Sequence, residues 1–336
     1  MQGKRMSLLL AVSLCSFGAT NKLLVVEEKE HNRCRQHRFG HFSDWSRPVN
    51  LGSSINTQYS EFHMAISADE MSLFFSSDRP GGLGGNDLWV AHRVSTEDDW
   101  EPAQNLGPTL NTSGGEACVA LSPDEHRLFF CSNGRGGFGG FDIFVSFRKD
   151  TSDNFGWEEP VNLGEGVNSE FDDGDETFFL NPQTGVLTLY FASNRPGGGI
   201  DDWDIYMSTE REDSTFNRAV LVPELSSPRR DAHPTITCDG LEIFLASNRP
   251  GSYGGIDLWV SMRRTTHDAW STPVNLGPVV NTLDDERAPY LSADAQRLYF
   301  TSNRPGGFGG NDFYVTTRTL CDDNVTSGDG HACNKN

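Results

Sequence analysis

Apolar residues along this chain come in short runs set between clusters of Gly, Pro, Asn and Asp, and the pattern returns at intervals of about 55 residues. In the last copy the order is Glu286, the run APYLS, the turn ADAQ, the run RLYFTSN, the loop RPGGFGGN and the run DFYVTTR. Runs of β-branched and aromatic residues bounded by turn formers read as strands joined by hairpins. A further strand opens on Trp and closes on Asn-Leu-Gly at Trp45 to Gly52, Trp100 to Gly107, Trp157 to Gly164 and Trp270 to Gly277, with Phe216 opening a degenerate version. Four antiparallel strands per unit make a propeller blade.

Counting the runs sharpens this picture. Five three-strand cores are present, but the element at Trp45 precedes the first core and none follows the last, at Thr319. A ring explains the offset, because the N-terminal strand completes a blade whose other strands come from the C-terminus, and two open sheet edges disappear. The expectation is an all-β, five-bladed closed propeller over 45–319, preceded by an extension over 20–44 and followed by a polar tail over 320–336.

Tight turns precede the second strands at Ser122-Pro123-Asp124, Ser67-Ala68-Asp69 and Ser292-Ala293-Asp294, and those strands end as in Leu298-Tyr299-Phe300-Thr301-Ser302-Asn303-Arg304. These residues resemble the WD40-like Pro-Asp repeats of TolB-like β-propellers. The chain departs from that pattern at Gly134, where the other copies have Arg, and at Asn181-Pro182-Gln183, which replaces the Asp turn. The resemblance implies extracytoplasmic binding or scaffolding more often than catalysis. A six-bladed TolB-like ring, the alternative, would need a further blade from 20–44 and the tail, which are too short and polar.

Net charge is -20 and the isoelectric point about 4.7, so a nucleic-acid backbone or an anionic membrane surface would be repelled. The first residues, MQGKRMSLLLAVSLCSFGA, place Lys4 and Arg5 before an apolar run and small residues after it, a secretory signal pattern over 1–19 that is too short to span a bilayer. A periplasmic or secreted protein without a transmembrane span is expected. Beyond Cys15, six cysteines remain: Cys34, Cys118, Cys131, Cys238, Cys321 and Cys333. Cys118 and Cys131 flank a hairpin and fit either a cross-strand bridge or two buried thiols, and Cys321 with Cys333 would close the tail.

Candidate chemistry concentrates at one mouth of the channel. Glu61, Glu116, Asp175, Asp231 and Glu286 open the innermost strands, one per blade, and Arg79, Arg195, Arg249 and Arg304 leave the second strands on the same face. Arginine–carboxylate pairs that brace the frame are one reading, and a ligand site is the other. Asp87, Asp142, Asp204, Asp257 and Asp312 end the Gly-rich loops and read as loop braces. Two positions after the blade acids come His63, Cys118, Thr177, His233 and Ala288, where the repetition breaks and His63 and His233 offer proton transfer or ligation. The third blade adds EFDDGDE and DDWD, so Asp172, Asp173, Asp175, Asp201 and Asp202 form a candidate calcium set, the only cofactor suggested. The leading expectation is a non-catalytic binding or scaffold propeller presenting one face to a protein, peptide or glycan. Its rival is a glycan-active hydrolase or lyase using mouth carboxylates with His63 or His233.

Overall fold

The computed structural model describes residues 41–181, 183–197 and 203–321. The expected signal segment, Asp201 and Asp202 lie outside them. Two short strands, β1 (His41–Phe42) and β2 (Val49–Asn50), precede five repeated hairpin units. Blade 1 is β3 (Glu61–Ile66), β4 (Ser72–Ser77), β5 (Asp87–His92) and β6 (Gln104–Asn105). Blade 2 is β7 (Glu116–Leu121), β8 (Arg127–Ser132), β9 (Asp142–Phe147) and β10 (Val161–Asn162). Blade 3 is β11 (Asp173–Leu180), β12 (Leu187–Ser193), β13 (Asp204–Thr209) and β14 (Val220–Leu221), and blade 4 is β15 (Asp231–Ile236), β16 (Glu242–Ser247), β17 (Asp257–Met262) and β18 (Val274–Asn275).

The fifth blade closes the ring as the strand count requires. β19 (Glu286–Leu291), β20 (Arg297–Ser302) and β21 (Asp312–Thr317) are completed by β2, with Val49 opposite Val315 and Asn50 opposite Tyr314. Outside that seam, β1 pairs with β22 (Leu320–Cys321), so two residues of the expected tail and two of the extension join the frame. Five antiparallel four-stranded blades, with no helix among the described residues, make the fold an all-β, five-bladed propeller.

Each sheet is covered on both faces, which explains why its middle strands are apolar without alternation. Phe74 packs toward blade 2 with Val119, Leu128 and Phe130, while Phe75 packs toward blade 5 with Tyr299 and Phe313. Three further clusters fill the remaining interfaces between neighbouring blades. The core is therefore a ring of five inter-blade cores.

The Gly-rich loops clasp neighbouring blades. A Cβ on Gly84 would stand 2.1 Å from the Gly114 carbonyl oxygen, and one on Gly309 would stand 2.2 Å from that of Thr57, so only glycine lets each loop lie on the strand approach of the next blade. Gly309 makes this contact across the closure. Inside the loops Asp142, Asp257 and Asp312 accept the backbone N–H of Phe138, Tyr253 and Phe308 at 2.7, 2.7 and 2.6 Å. Asp87 does the same for Leu83. Four of the five loop acids thus brace the loops as expected. The tryptophans that open the fourth strands also have a frame role: Arg93, Arg148, Arg263 and Arg318 stack on Trp100, Trp157, Trp270 and Trp45 at 4.3, 4.6, 4.2 and 4.7 Å.

Candidate functional site at the channel mouth

The acids that open the innermost strands are fully buried and saturated. Glu61 accepts the backbone N–H and hydroxyl of Thr57 at 2.9 and 2.7 Å, the Ser77 hydroxyl at 3.2 Å and the Arg79 guanidinium at 2.9 Å. Glu286 repeats this with Thr282 at 2.8 and 2.7 Å, Ser302 at 3.0 Å and Arg304 at 2.9 Å. Arg249 pairs with Asp231 in the same way. Burial pushes Glu61 and Glu286 above the usual carboxylate range, with the threonine and arginine contacts pulling back. Blade 2, which lacks the arginine at Gly134, binds Glu116 through Thr112 and Ser132, and Arg135 reaches the Thr109 carbonyl from one residue later. The arginines are spent on the same frame, since Arg79, Arg195, Arg249 and Arg304 also donate to the carbonyls of Ile55, Val167, Leu225 and Val280.

Blade 3 requires a correction. The acid that opens β11 and pairs with Arg195 is Asp173, not Asp175. Asp173 stands opposite Ser193, and the backbone N–H and hydroxyl of Ser169, four residues earlier, donate to it at 2.6 and 2.8 Å. That four-residue spacing repeats Thr57 with Glu61, Thr112 with Glu116, Ser227 with Asp231 and Thr282 with Glu286. It is the signal that singles out Asp173 in an acid-rich stretch. Consequently Asp175, rather than Thr177, belongs with the residues two positions on.

Those residues share one backbone device. His63, Cys118, Asp175, His233 and Ala288 have φ of 42°, 61°, 56°, 52° and 45°, left-handed values that non-glycine residues adopt at a cost. Each sits in a β-bulge, where one extra residue on the inner strand breaks the register, as between Gly174 and Thr177 or Ala232 and Thr235. A bulge turns its side chain away from the sheet. Repeated in every blade, it makes a ring of five slots around the channel axis.

Three slots meet. His63 Nε2 lies 2.9 Å from Asp175 Oδ1, His233 Nδ1 lies 3.1 Å from Asp175 Oδ2, and the two imidazole nitrogens are 3.0 Å apart. These residues come from blades 1, 3 and 4, which include non-neighbours, so they converge on the axis itself. His233 and Asp175 are buried, while His63 is partly exposed. The remaining nitrogens, His63 Nδ1 and His233 Nε2, are buried with no hydrogen-bond partner among the described residues. Burial alone would raise the Asp175 pKa, but His233 and His63 beside it hold it well below the usual range. Burial lowers His233 to about 4 against the pull of Asp175.

The surroundings are mixed. Phe62 packs on both imidazoles with ring centroids at 5.1 and 6.2 Å. Cys118, in the blade 2 slot, lies 3.3 Å from Asp175 Oδ1 and is joined to Cys131 by a disulfide. The hairpin register places Cys131 opposite Ala117, and the bulge brings Cys118 to it with Cα atoms 5.4 Å apart. Cys238 and Cys321 each take part in a separate disulfide as well. Gly174 makes room for the Cys118–Cys131 bridge, since a Cβ there would stand 3.1 and 3.2 Å from its two sulfurs. Arg230 stacks on Trp203 at 4.7 Å, and burial lowers its pKa against the pull of Asp175. Glu176, next along, fills the core position held by Met64 in blade 1. Its two oxygens are buried with no hydrogen-bond partner among the described residues, and burial, with the Asp175 charge, pushes its carboxyl well above the usual carboxylate range.

Of the candidate calcium residues, Asp173 is the frame acid, and Asp172 accepts from Phe141 at 2.9 Å and from Asn194 at 3.1 Å. Only Asp175 of that described set faces the axis cluster.

One feature of the same face carried no weight in the sequence reading. The Gly-rich loops present Leu83, Phe138, Tyr253 and Phe308 at equivalent positions, each about half exposed. These loops reach the starts of neighbouring inner strands, as in the Glu116 N–H bond to the Asn86 carbonyl. Four described loops therefore set an apolar crown on the face where the inner strands begin.

No family model matches this chain, and no curated protein does. Among solved structures it is similar to the catalytic domain of a GH62 α-L-arabinofuranosidase from Coprinopsis cinerea, with a TM-score of 0.52 and 12% identity, covering 83% of this chain and 98% of that one. A thermostable family-43 glycoside hydrolase gives a TM-score of 0.53 at 11% identity, covering 81% and 93%. TolB from Acinetobacter baumannii aligns at 0.46 and 14% identity, over 83% and 64%. Likeness at these identities is one of fold, and the TolB score is too low to add to it. Among the described residues no helix is long and apolar enough to cross a membrane.

Proposed function

We propose that this chain is an extracytoplasmic, glycan-directed propeller that engages its ligand at the channel mouth, with Asp175 between His63 and His233 as the polar centre. The observation that carries this reading is the contrast within one ring of slots. The backbone is the same in every blade, yet three slots hold interacting polar groups on the axis. The crown of Leu83, Phe138, Tyr253 and Phe308 supports a glycan in particular, because sugar rings present apolar faces to aromatic side chains and hydroxyls to polar ones. The frame is shared with proteins named as glycoside hydrolases, and the signal pattern suits an extracytoplasmic glycan target.

A binding-only role has its own support. The five carboxylates that open the inner strands are consumed by the frame, so they offer no free acid and nucleophile pair of the kind a glycosidase uses. One panel of neutral and uronate-containing oligosaccharides addresses both readings. Calorimetry is expected to show binding that weakens at least about tenfold in Asp175→Asn and in Phe138→Ala, and release of new reducing or unsaturated ends would add turnover. Absence of binding across the panel, or affinity unchanged in both variants, would remove the mouth as a glycan site.

A further inference from the structure

We infer that His63, Asp175 and His233 form a site for one divalent first-row transition metal ion of the zinc class on the propeller axis. The inference does not depend on the glycan reading, because it rests on the donor atoms alone.

Three donor groups converge from three blades. His63 Nε2, His233 Nδ1 and the Asp175 carboxylate stand 2.9 to 3.1 Å from one another. Around a tetrahedral ion bound at about 2.0–2.2 Å, neighbouring donors stand about 3.3 Å apart. The cluster is thus within a few tenths of an ångström of a loaded triangle, a change that side-chain rotation supplies. Two imidazoles and one carboxylate suit zinc and its neighbours, whereas calcium takes six or more oxygens.

Proton accounting points the same way. Asp175 as an anion only accepts hydrogen bonds, and each inner nitrogen faces both the carboxylate and the other ring. If both nitrogens carry protons, two N–H groups oppose each other at 3.0 Å. If one lacks its proton, its lone pair faces a carboxylate oxygen. Either arrangement leaves one unfavourable contact in a buried place, where such contacts are poorly screened. A cation at the centre turns all three lone pairs into ligands. The protons then sit on His63 Nδ1 and His233 Nε2, the outer nitrogens that have no hydrogen-bond partner among the described residues.

The rest of the ring sets the fourth position. Cys118 is tied to Cys131 and Ala288 has no donor, so no other slot completes the shell. His63 is the partly exposed member, so the open coordination position lies on its side of the cluster. Arg230, the cation that acts on Asp175, stands in electrostatic competition with the metal and limits affinity.

The test uses the full chain, stripped with chelator and dialysed, and titrated with Zn²⁺ in a calorimeter and with Co²⁺ by visible absorbance. One ion per chain is expected, with a tetrahedral or five-coordinate cobalt spectrum, and Ca²⁺ is expected to give no comparable heat. His63→Ala and His233→Ala should each weaken Zn²⁺ binding by more than about 100-fold, beyond what loss of an outer partner costs. Zn²⁺ should raise the wild-type melting temperature and leave both variants unmoved. If a variant does not fold, the wild-type cobalt spectrum still decides, because inner-sphere ligation produces it directly. Ala288→His, which offers a further imidazole from the ring, should tighten binding. Absence of stoichiometric binding, an octahedral all-water cobalt spectrum, or Zn²⁺ affinity unchanged in the folded His63 and His233 variants would overturn the assignment.

Discussion

Glu286 and Ala288 stand two residues apart on one strand of blade 5, as Asp173 and Asp175 do in blade 3. At the first position the two blades agree: a buried carboxylate is held by a hydroxyl residue four positions earlier and by an arginine. At the second they differ entirely, one slot holding a methyl group and the other the anion of a three-residue cluster. The backbone at the second position is nonetheless alike, with φ of 45° and 56°. The first ring of positions carries architecture and tolerates little variety, while the second carries chemistry on a conformation that never changes.

The largest test of this contrast removes a frame acid. Glu286→Ala leaves Arg304 buried without its carboxylate and should cost about 3–5 kcal/mol in denaturant unfolding. A comparable loss from His63→Ala would erase the distinction between the rings. Next in size, Gly309→Ala drives a methyl group into the Thr57 carbonyl across the closure and should cost about 1–3 kcal/mol. In the slots the sign reverses. Ala288→Gly relieves a left-handed alanine and should raise stability by about 1 kcal/mol, read from the shift in the denaturant midpoint. The smallest effect is a pH slope. Because burial raises the folded pKa of Glu286, the folded state keeps a proton that the unfolded chain has released, so this residue's contribution to stability falls as pH rises from about 4.5 through the raised value. Glu286→Gln should flatten that slope in unfolding curves taken across the window, and an unchanged slope would detach it from this residue.

The ring, its blade count and its closure were legible because they depend on the number and order of strands, which the turn residues mark. The loop acids were legible for a similar reason, since a short carboxylate at a fixed place in a loop braces it locally. The third blade misled because Glu170 to Glu176 contains several acids, and the strand start was read two residues late. Ser169 resolves it, through the hydroxyl-to-acid spacing that the other blades repeat. His63 and His233 stood out as breaks in symmetry, but their meeting with Asp175 was not legible. It depends on the bulge and on the radius of the ring, neither of which strand periodicity expresses. The crown residues Leu83, Phe138, Tyr253 and Phe308 were visible at equivalent positions between glycines, and the glycines drew the attention instead.

The seam between β2 and β21 also has a meaning in time. Val49 and Asn50 are among the first of the described residues to leave the ribosome, and their partners Val315 and Tyr314 are among the last. Blades 1 to 4 are each built from strands close in sequence and can take shape as they emerge, but β2 waits for β21. A strand made before any blade is therefore used only once β21 has emerged, and sealing of the circle is the last pairing of the five blades.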